Sequence, residues 1–272
     1  MNIIARLAED EVLIMGILNV TPDSFSDGGK FLNREKAVNR ALEMEEEGAD
    51  IVDIGGESTR PGADKVELES ELDRTIPVIE AIREETDIPI SIDTYKSKVA
   101  EQALRAGANI VNDISALRFD PGMKNLLSRT GAPVVLMHMQ ENPSTMQENP
   151  TYGDVVAEVK EFLEERRQEA LEAGIEGDRI ILDPGIGFGK TTEHNFELLR
   201  RLDELAQLGC PILLGTSRKS FLGAVLDLPV QQRLEGTIAT NVVGILRGAN
   251  ILRVHDVAAV KRAAEVALLC RS

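Results

Sequence analysis

Aromatic side chains are scarce in this chain: they make up 3% of its 272 residues, and tryptophan is absent. The hydrophobic content of 43% is ample for a core, which must rest on Val, Ile, Leu and Ala. Aliphatic runs of that kind suit parallel strands covered on both faces. Cysteine is nearly absent too. Cys210 and Cys270 stand in apolar surroundings with no metal-type spacing, so buried thiols in a reducing compartment are expected rather than a disulfide framework or a zinc site. Positive charge is also in short supply, at a formal net charge of −16. That balance argues against nucleic acid and anionic membrane as partners, and it obliges any anionic substrate to find a local basic pocket. No run is long and apolar enough for a signal peptide or a bilayer span, so a cytoplasmic protein with an ordinary acidic surface is expected.

What is present is a repeated phrase in which a helical pattern ends on Gly, a small residue follows, and a short apolar run begins. It occurs at Gly48-Ala49-Asp50, Gly107-Ala108-Asn109, Gly131-Ala132-Pro133, Gly209-Cys210-Pro211 and Gly248-Ala249-Asn250. A helix stopped by Gly in a left-handed cap and followed at once by a buried strand reads this way. Apolar runs at 12–19, 89–93 and 179–183 bring the expected strands to eight. Amphipathic segments at 34–47, 67–85, 95–106, 152–173, 192–208 and 256–269 lie between them. Such alternation predicts a single (β/α)8 TIM barrel over 1–272, a fold that typically takes about 250 residues. An open doubly wound sheet is the alternative, but polar residues end every strand here instead of gathering at one switch point.

Those strand ends carry Asn19, Asp53 with Glu57 beyond it, Asp93, Asn112, His138, Asp183, the run Ser217-Arg218-Lys219, and Arg253 with His255. Any one of them is as well explained as a cap of the next helix. Their recurrence at the face where barrels place catalytic groups points to a site. Two carboxylates and an amide, Asp93, Asn112 and Asp183, suit a flat heterocycle whose ring N–H and exocyclic amine pair with a carboxylate. A divalent metal held by oxygen is the rival reading. Arg253 and His255, two positions apart, join 215–220 as a basic patch where barrels commonly bind phosphate. The glycines of 183–191 miss the spacing of a P-loop by one residue and lack a dinucleotide fingerprint, so they read as a tight turn near a flat ligand. His194 reads as a capping residue and His138 as a packed one. Segments 21–33, 55–66 and 139–151 exceed what a barrel needs, and the first two have the composition of mobile lids.

The residues resemble the dihydropteroate synthases, the folate-pathway family targeted by sulfonamides, over essentially the whole chain. The resemblance is carried by MGILNVTPDSFSDGG at 15–29, DIGGESTRPG at 53–62, SIDT at 91–94, NDI at 112–114, DPGIGFG at 183–189, GTSRKS at 215–220 and RVHD at 253–256. It implies the joining of 6-hydroxymethyl-7,8-dihydropterin pyrophosphate to p-aminobenzoate with release of pyrophosphate. It implies that Asp93, Asn112, Asp183 and Lys219 hold the pterin, with Met137 packed nearby. Asn19 would meet a Mg2+ ion bridging the pyrophosphate, with Asp27 as a helper. Arg253 and His255 would bind pyrophosphate with Thr59 and Arg60. Phe25, Thr59, Pro61, Phe188, Lys219 and Ser220 would form the p-aminobenzoate pocket, and the enzyme would be a homodimer through its outer helices.

The resemblance also predicts a glycine after Met139-Gln140, where this chain has Glu141. A corrinoid-type pterin-dependent methyltransferase is the first competing function, but it has no use for a pyrophosphate patch. A non-catalytic pterin-binding protein would not keep Lys219, Arg253 and the lid sequence together. A sugar-phosphate isomerase or aldolase is supported by the basic patch alone.

Overall fold

The structure, a computed structural model, describes residues 3–9, 11–21, 30–58, 65–142 and 145–271, with 30–33 as backbone only. Its strands are β1 (Leu13–Asn19), β2 (Ile51–Gly55), β3 (Ile90–Asp93), β4 (Ile110–Asp113), β5 (Val134–Met137), β6 (Ile180–Asp183), β7 (Ile212–Leu214) and β8 (Ala249–Val254). They close as a parallel barrel in sequence order, β8 returning to β1. The helices are α1 (Ile3–Ala8), α2 (Lys30–Glu46), α3 (Leu68–Glu85), α4 (Ser97–Ala106), α5 (Gly122–Thr130), α6 (Val155–Glu172), α7 (Thr192–Arg200), α8 (Leu202–Ala206), α9 (Ser220–Leu226), α10 (Leu234–Leu246) and α11 (Val257–Cys270). The TIM barrel expected from the repeats is therefore the fold. The segment read as one helix over 192–208 breaks at Arg201, whose guanidinium reaches Asp154 at the start of α6.

The repeated phrase has a structural cause beyond its glycines, which take left-handed φ, Gly107 at 114° as the cap of α4. In the repeats before β2, β4 and β8 the third residue reaches sideways to the neighbouring strand. Asp50, Asn109 and Asn250 accept a backbone N–H at the start of β1, β3 and β7, from Ile14, Ile90 and Ile212, at 2.8, 2.9 and 2.9 Å. Before β3, β5 and β7 a proline stands at the strand entry, and the carbonyls of Pro89, Pro133 and Pro211 accept from Val52, Val111 and Leu182. The lower rim of the barrel is stitched by this alternation, which satisfies donors that a strand start would leave open.

Inside the barrel, Leu13, Met15, Ile51, Ile110, Val135, Ile181, Leu213 and Ile251 form an apolar layer, sealed from below by Ile3 and Leu7 of α1. Period-two alternation then points the next inward residues upward into the mouth, and these are polar: Asp53, Asp93, Asn112, Asp183 and Arg253. A second core, between strands and outer helices, is aliphatic as composition requires. Cys210 belongs to it, but Cys270, expected to be buried, is exposed as the last residue of α11, beyond Ala267, the last buried position of that helix. No described helix is long and apolar enough to cross a membrane.

Glu141 explains the expected glycine. Its φ is +53°, a left-handed conformation that costs an L-residue about 1–2 kcal/mol and glycine almost nothing. Glu141→Gly should therefore stabilise the protein by about 0.5–1 kcal/mol after the entropic cost of glycine. Urea unfolding would read this as a raised midpoint with unchanged slope, and a lowered midpoint would contradict it.

Candidate active site

Strand register assembles the site. Asn19 pairs with Gly55, Gly55 with Asp93, and Asp93 with Asn112, so one row crosses β1 to β4 at the barrel mouth. Met137 pairs with Asp183 on the far wall. Gly55 keeps the row open, since a Cβ there would stand 3.7 Å from both Asn19 Oδ1 and Asp93 Oδ2. Met137 is buried with Ile114, Met139 and Met146, and Phe188 and Tyr95 pack against this cluster as an apolar wall.

Asp183 is held by the turn that follows it. Its Oδ1 accepts the Gly185 N–H at 2.7 Å, and Gly185 has φ +66° where a Cβ would fall 1.9 Å from the His138 carbonyl oxygen. Only glycine fits there. The same turn is fastened from beneath by buried Lys190, which donates to the carbonyls of Gly185 and Phe188 at 3.0 and 2.9 Å and meets His138 Nδ1 at 2.8 Å. Asn195 accepts the Gly187 N–H at 2.7 Å. This is the structural use of the lysine that made the segment look like a nucleotide loop. Burial, then Lys190, drives the His138 imidazole well below its usual range, consistent with a packed ring. His194 completes a capping box with Thr191 at the start of α7.

Lys219 reaches the pocket from the loop after β7. Its ammonium donates to the Ile186 carbonyl and lies 4.7 Å from the centre of the Phe188 ring. Burial brings its pKa down to about 8, against the pull of Asp183. Burial likewise raises the Asp183 carboxyl, more than Lys219 lowers it. Asp93 is pushed up to about 7 by burial, against Arg253, with the charge of Asp53 adding to the rise. Ser220 is exposed and opens α9 directly after Lys219.

The basic end is built differently from the even patch that spacing suggests. Arg253 donates through Nε to Asp53 Oδ2 at 2.6 Å and through Nη2 to Asp93 Oδ2 at 2.8 Å. Burial works against its charge, but the two carboxylates hold its pKa above the usual arginine range. Ser217 Oγ accepts the His255 N–H at 3.2 Å and stands 3.0 Å from His255 Nδ1. Which of the two donates in that contact follows the ring tautomer, and in either case Ser217 fixes the orientation of the imidazole. Arg218 turns away from the mouth onto Asp256, tying the loops after β7 and β8 together. Glu57 also serves the scaffold: it accepts from the Tyr95 hydroxyl at 2.9 Å and from Lys96, which in turn holds Glu71 and the Val66 carbonyl.

Asn19, Asp93, Asn112, Met137, Asp183, Phe188, Lys219, Arg253 and His255 thus meet at one barrel end, while Phe25, Asp27, Thr59, Arg60 and Pro61 lie outside the described residues. Lys190 and Asn195 are contributors that sequence reading did not single out, and Asp53 and Ser217 stood among the strand-end residues without the partners that the fold gives them. Among the described residues, no three His, Cys, Asp or Glu side chains gather as a metal cage.

The profile of the pterin binding enzymes matches residues 15–255. Dihydropteroate synthase of Synechocystis is 52% identical over 255 residues, 93% of this chain and 88% of its own length. The solved structure of Xanthomonas albilineans dihydropteroate synthase with 4-aminobenzoic acid is 48% identical at a TM-score of 0.91, covering 97% of this chain and 94% of that one. The same enzyme in complex with 7,8-dihydropteroate aligns at a TM-score of 0.88 and 45% identity, over 97% and 95% of the two chains. With these likenesses spanning the barrel and every strand end of its mouth, the chain belongs to the pterin binding enzymes and, among them, to the dihydropteroate synthases.

Proposed function

We propose that this enzyme is a transferase that condenses 6-hydroxymethyl-7,8-dihydropterin pyrophosphate with p-aminobenzoate, giving 7,8-dihydropteroate and pyrophosphate. One observation carries the reading beyond family membership: a buried acid–amide–acid set, Asp93, Asn112 and Asp183, shares its pocket with the cations Lys219 and Arg253. A heterocycle that donates through a guanidine-like edge and carries a polyanionic leaving group needs both.

In this reading Asp183, Asn112 and Lys219 orient the ring, Met137 packs against it with Phe188 on the p-aminobenzoate side, and Asp93 accepts a ring N–H. The bond between the pterin methylene carbon and the pyrophosphate oxygen breaks heterolytically, its electron pair leaving with pyrophosphate. Arg253 and His255 stabilise the departing charge, and the nearby carboxylates stabilise the methylene cation. The arylamine nitrogen then forms the new C–N bond and gives its surplus proton to solvent. No strong base is required, because an arylamine is nucleophile enough. The chain's residues fit Mg2+, which takes few protein ligands and fills its octahedron with water and substrate phosphate. Asn19 offers one amide oxygen beside the open space over Gly55. When bound, the ion neutralises charge gathering on the pyrophosphate. Thr59, Arg60, Phe25, Pro61 and Ser220 are assigned to the pyrophosphate and p-aminobenzoate ends, with 21–33 and 55–66 as the closing loops that exclude water.

The direct test is pyrophosphate release in magnesium buffer with and without p-aminobenzoate. Release that depends on p-aminobenzoate is expected, and its absence would sink the assignment. The pH profile carries a second expectation. Raised to about 7 by burial, Asp93 favours the acid in the free site, so the stability it contributes is lost as pH climbs from the ordinary carboxylate range through about 7, and a donating ring restores it. Lys219 keeps its proton only up to about 8. The kcat/KM for the pterin substrate should therefore rise through about pH 7 and fall beyond about 8. A flat profile across that range would contradict both roles.

We infer a homodimer as well. α10 and α11 pack side by side and leave Val243, Leu246, Val266 and Leu269 exposed, Leu269 by 89%, a face that a second copy would cover. Sedimentation should find a dimer that Leu269→Glu weakens; a monomeric wild type would contradict it. Free thiols, one of them exposed, suit the reducing cytoplasm.

A further inference from the structure

We propose that Asp53 is a positioning residue that aims Arg253 at the leaving group, by keeping hold of the guanidinium while substrate displaces it from Asp93. The inference rests on the reading above, in which pyrophosphate is the leaving group, and adds a residue to which that reading gives no part.

Asp53 occupies an unusual place for a carboxylate. It points into the barrel directly above Ile51, a position that barrels fill with branched aliphatic side chains. It is fully buried, its Oδ1 has no hydrogen-bond partner among the described residues, and the buried hydroxyl of its strand neighbour Ser91 has none among them either. An imperfectly satisfied buried acid is a stability liability, so its presence calls for a gain elsewhere.

Barrel stagger supplies the geometry. Arg253 is in register with Met15, and Met15 with Ile51, while Ile251 and Ile51 share the layer beneath, so the stagger sets Arg253 level with Asp53 and its side chain must pass that carboxylate. As it does, Nε meets Asp53 Oδ2 at 2.6 Å and Nη2 meets Asp93 Oδ2 at 2.8 Å. Asn112 Nδ2 also donates to Asp53 Oδ2, at 3.3 Å. The two carboxylates are not equivalent. Asp53 is 0% exposed, whereas Asp93 keeps 11% and stands in the row that lines the mouth. A ligand can reach Asp93 and cannot reach Asp53.

The consequence is an exchange. Once Asp93 is ionised, two carboxylates share one guanidinium in the free site, leaving one excess negative charge near Asp93. A ring N–H donated to Asp93 replaces the Arg253 Nη2 contact, and that donor becomes available to pyrophosphate. The Nε–Asp53 bond holds the guanidinium in place during the swap, so the pyrophosphate meets a fixed fork instead of a mobile side chain. Without the Asp53 charge, Arg253 closes wholly on Asp93, and anion and ring then compete for the same pair.

Asp53→Asn keeps the volume and an acceptor oxygen but removes the charge; Asp53→Ser serves should the amide variant fail to fold. Binding of inorganic pyrophosphate with magnesium is measured by calorimetry in wild type, Asp53→Asn, Arg253→Met and the double variant, alongside 6-hydroxymethylpterin as a ligand without phosphate. The proposal predicts at least about tenfold weaker pyrophosphate binding in Asp53→Asn, about threefold or less for the bare pterin, and no further loss when Asp53→Asn is added to Arg253→Met. Unchanged pyrophosphate affinity overturns it. So do losses that add in the double variant, or equal losses of both ligands with a lowered Tm, which would mark a merely structural acid. If the wild type itself binds no pyrophosphate, the functional reading falls first and this inference with it.

Discussion

Asp183→Ala is expected to lower kcat/KM for the pterin substrate by about a thousandfold, roughly 4 kcal/mol, while the barrel stays folded. The size follows from where the carboxylate sits. It is buried, one oxygen is committed to the Gly185 N–H, and the nearest cation is Lys219, so most of its charge is unspent in the free enzyme. A ring that donates to it gains a charge-assisted pair in a site where water does not compete. The same charge stabilises the methylene cation when pyrophosphate departs. Stability should change little, because two effects oppose: losing the acceptor of the Gly185 N–H costs about 1–3 kcal/mol, and removing a desolvated carboxylate returns a similar amount. Asp183→Asn separates the two roles. It can still accept from Gly185 and so keeps the turn, but it has no charge to offer. Activity as low as that of the alanine variant is expected, measured by initial rates at saturating p-aminobenzoate with Tm as a control. Near-normal activity in the asparagine variant would reduce Asp183 to a loop anchor.

The second large effect belongs to Lys219. Lys219→Met should cost about a hundredfold or more in kcat/KM, and Lys219→Arg should restore little of it. The ammonium lies over Phe188, donates to the Ile186 carbonyl, and passes so close to Gly187 that a Cβ there would meet its Cδ at 3.0 Å. A planar guanidinium cannot take that narrow course and make the same contacts. The pair of variants also tests the alkaline limb of the pH profile. Arginine does not deprotonate in this range, so whatever activity Lys219→Arg retains should lose the fall near pH 8. Persistence of that fall would assign the limb to another group.

Much of this was legible in the chain. The five Gly–small–apolar phrases marked five strands because each combines a left-handed helix stop with a buried run, and both are local requirements. The partners of their Asp and Asn residues were not legible, since the backbone N–H that each satisfies belongs to a neighbouring strand. α1 was missed as an element: six residues with only Ile3 and Leu7 buried give too short a pattern to detect, and their role depends on a barrel floor already in place. Asp93, Asn112 and Asp183 could be grouped because strand ends in a barrel converge by construction.

The partners of Arg253 could not be read that way. Asp53 lies 200 positions earlier, and the two meet only because the stagger of the closed sheet offsets β8 from β2 by a layer. Spacing alone suggested that Arg253 and His255 form one free basic patch. In the fold they are anchored separately, one by two carboxylates and the other by Ser217. Lys190 is the converse case, a lysine whose sequence context suggests phosphate but whose ammonium is used up on backbone carbonyls. The glycine that the resemblance predicts at 141 was a correct signal of left-handed backbone, and here that conformation is borne by glutamate.

One division of labour runs through the account: an acid–amide–acid set for the ring, cations for the leaving group, and a nucleophile that arrives from a second substrate. Its most direct test is the identity of the product. The purified enzyme, given 6-hydroxymethyl-7,8-dihydropterin pyrophosphate, p-aminobenzoate and magnesium, should yield 7,8-dihydropteroate by mass spectrometry in a one-to-one ratio with released pyrophosphate. Pyrophosphate accompanied only by 6-hydroxymethyl-7,8-dihydropterin, the product of water attack, would contradict it.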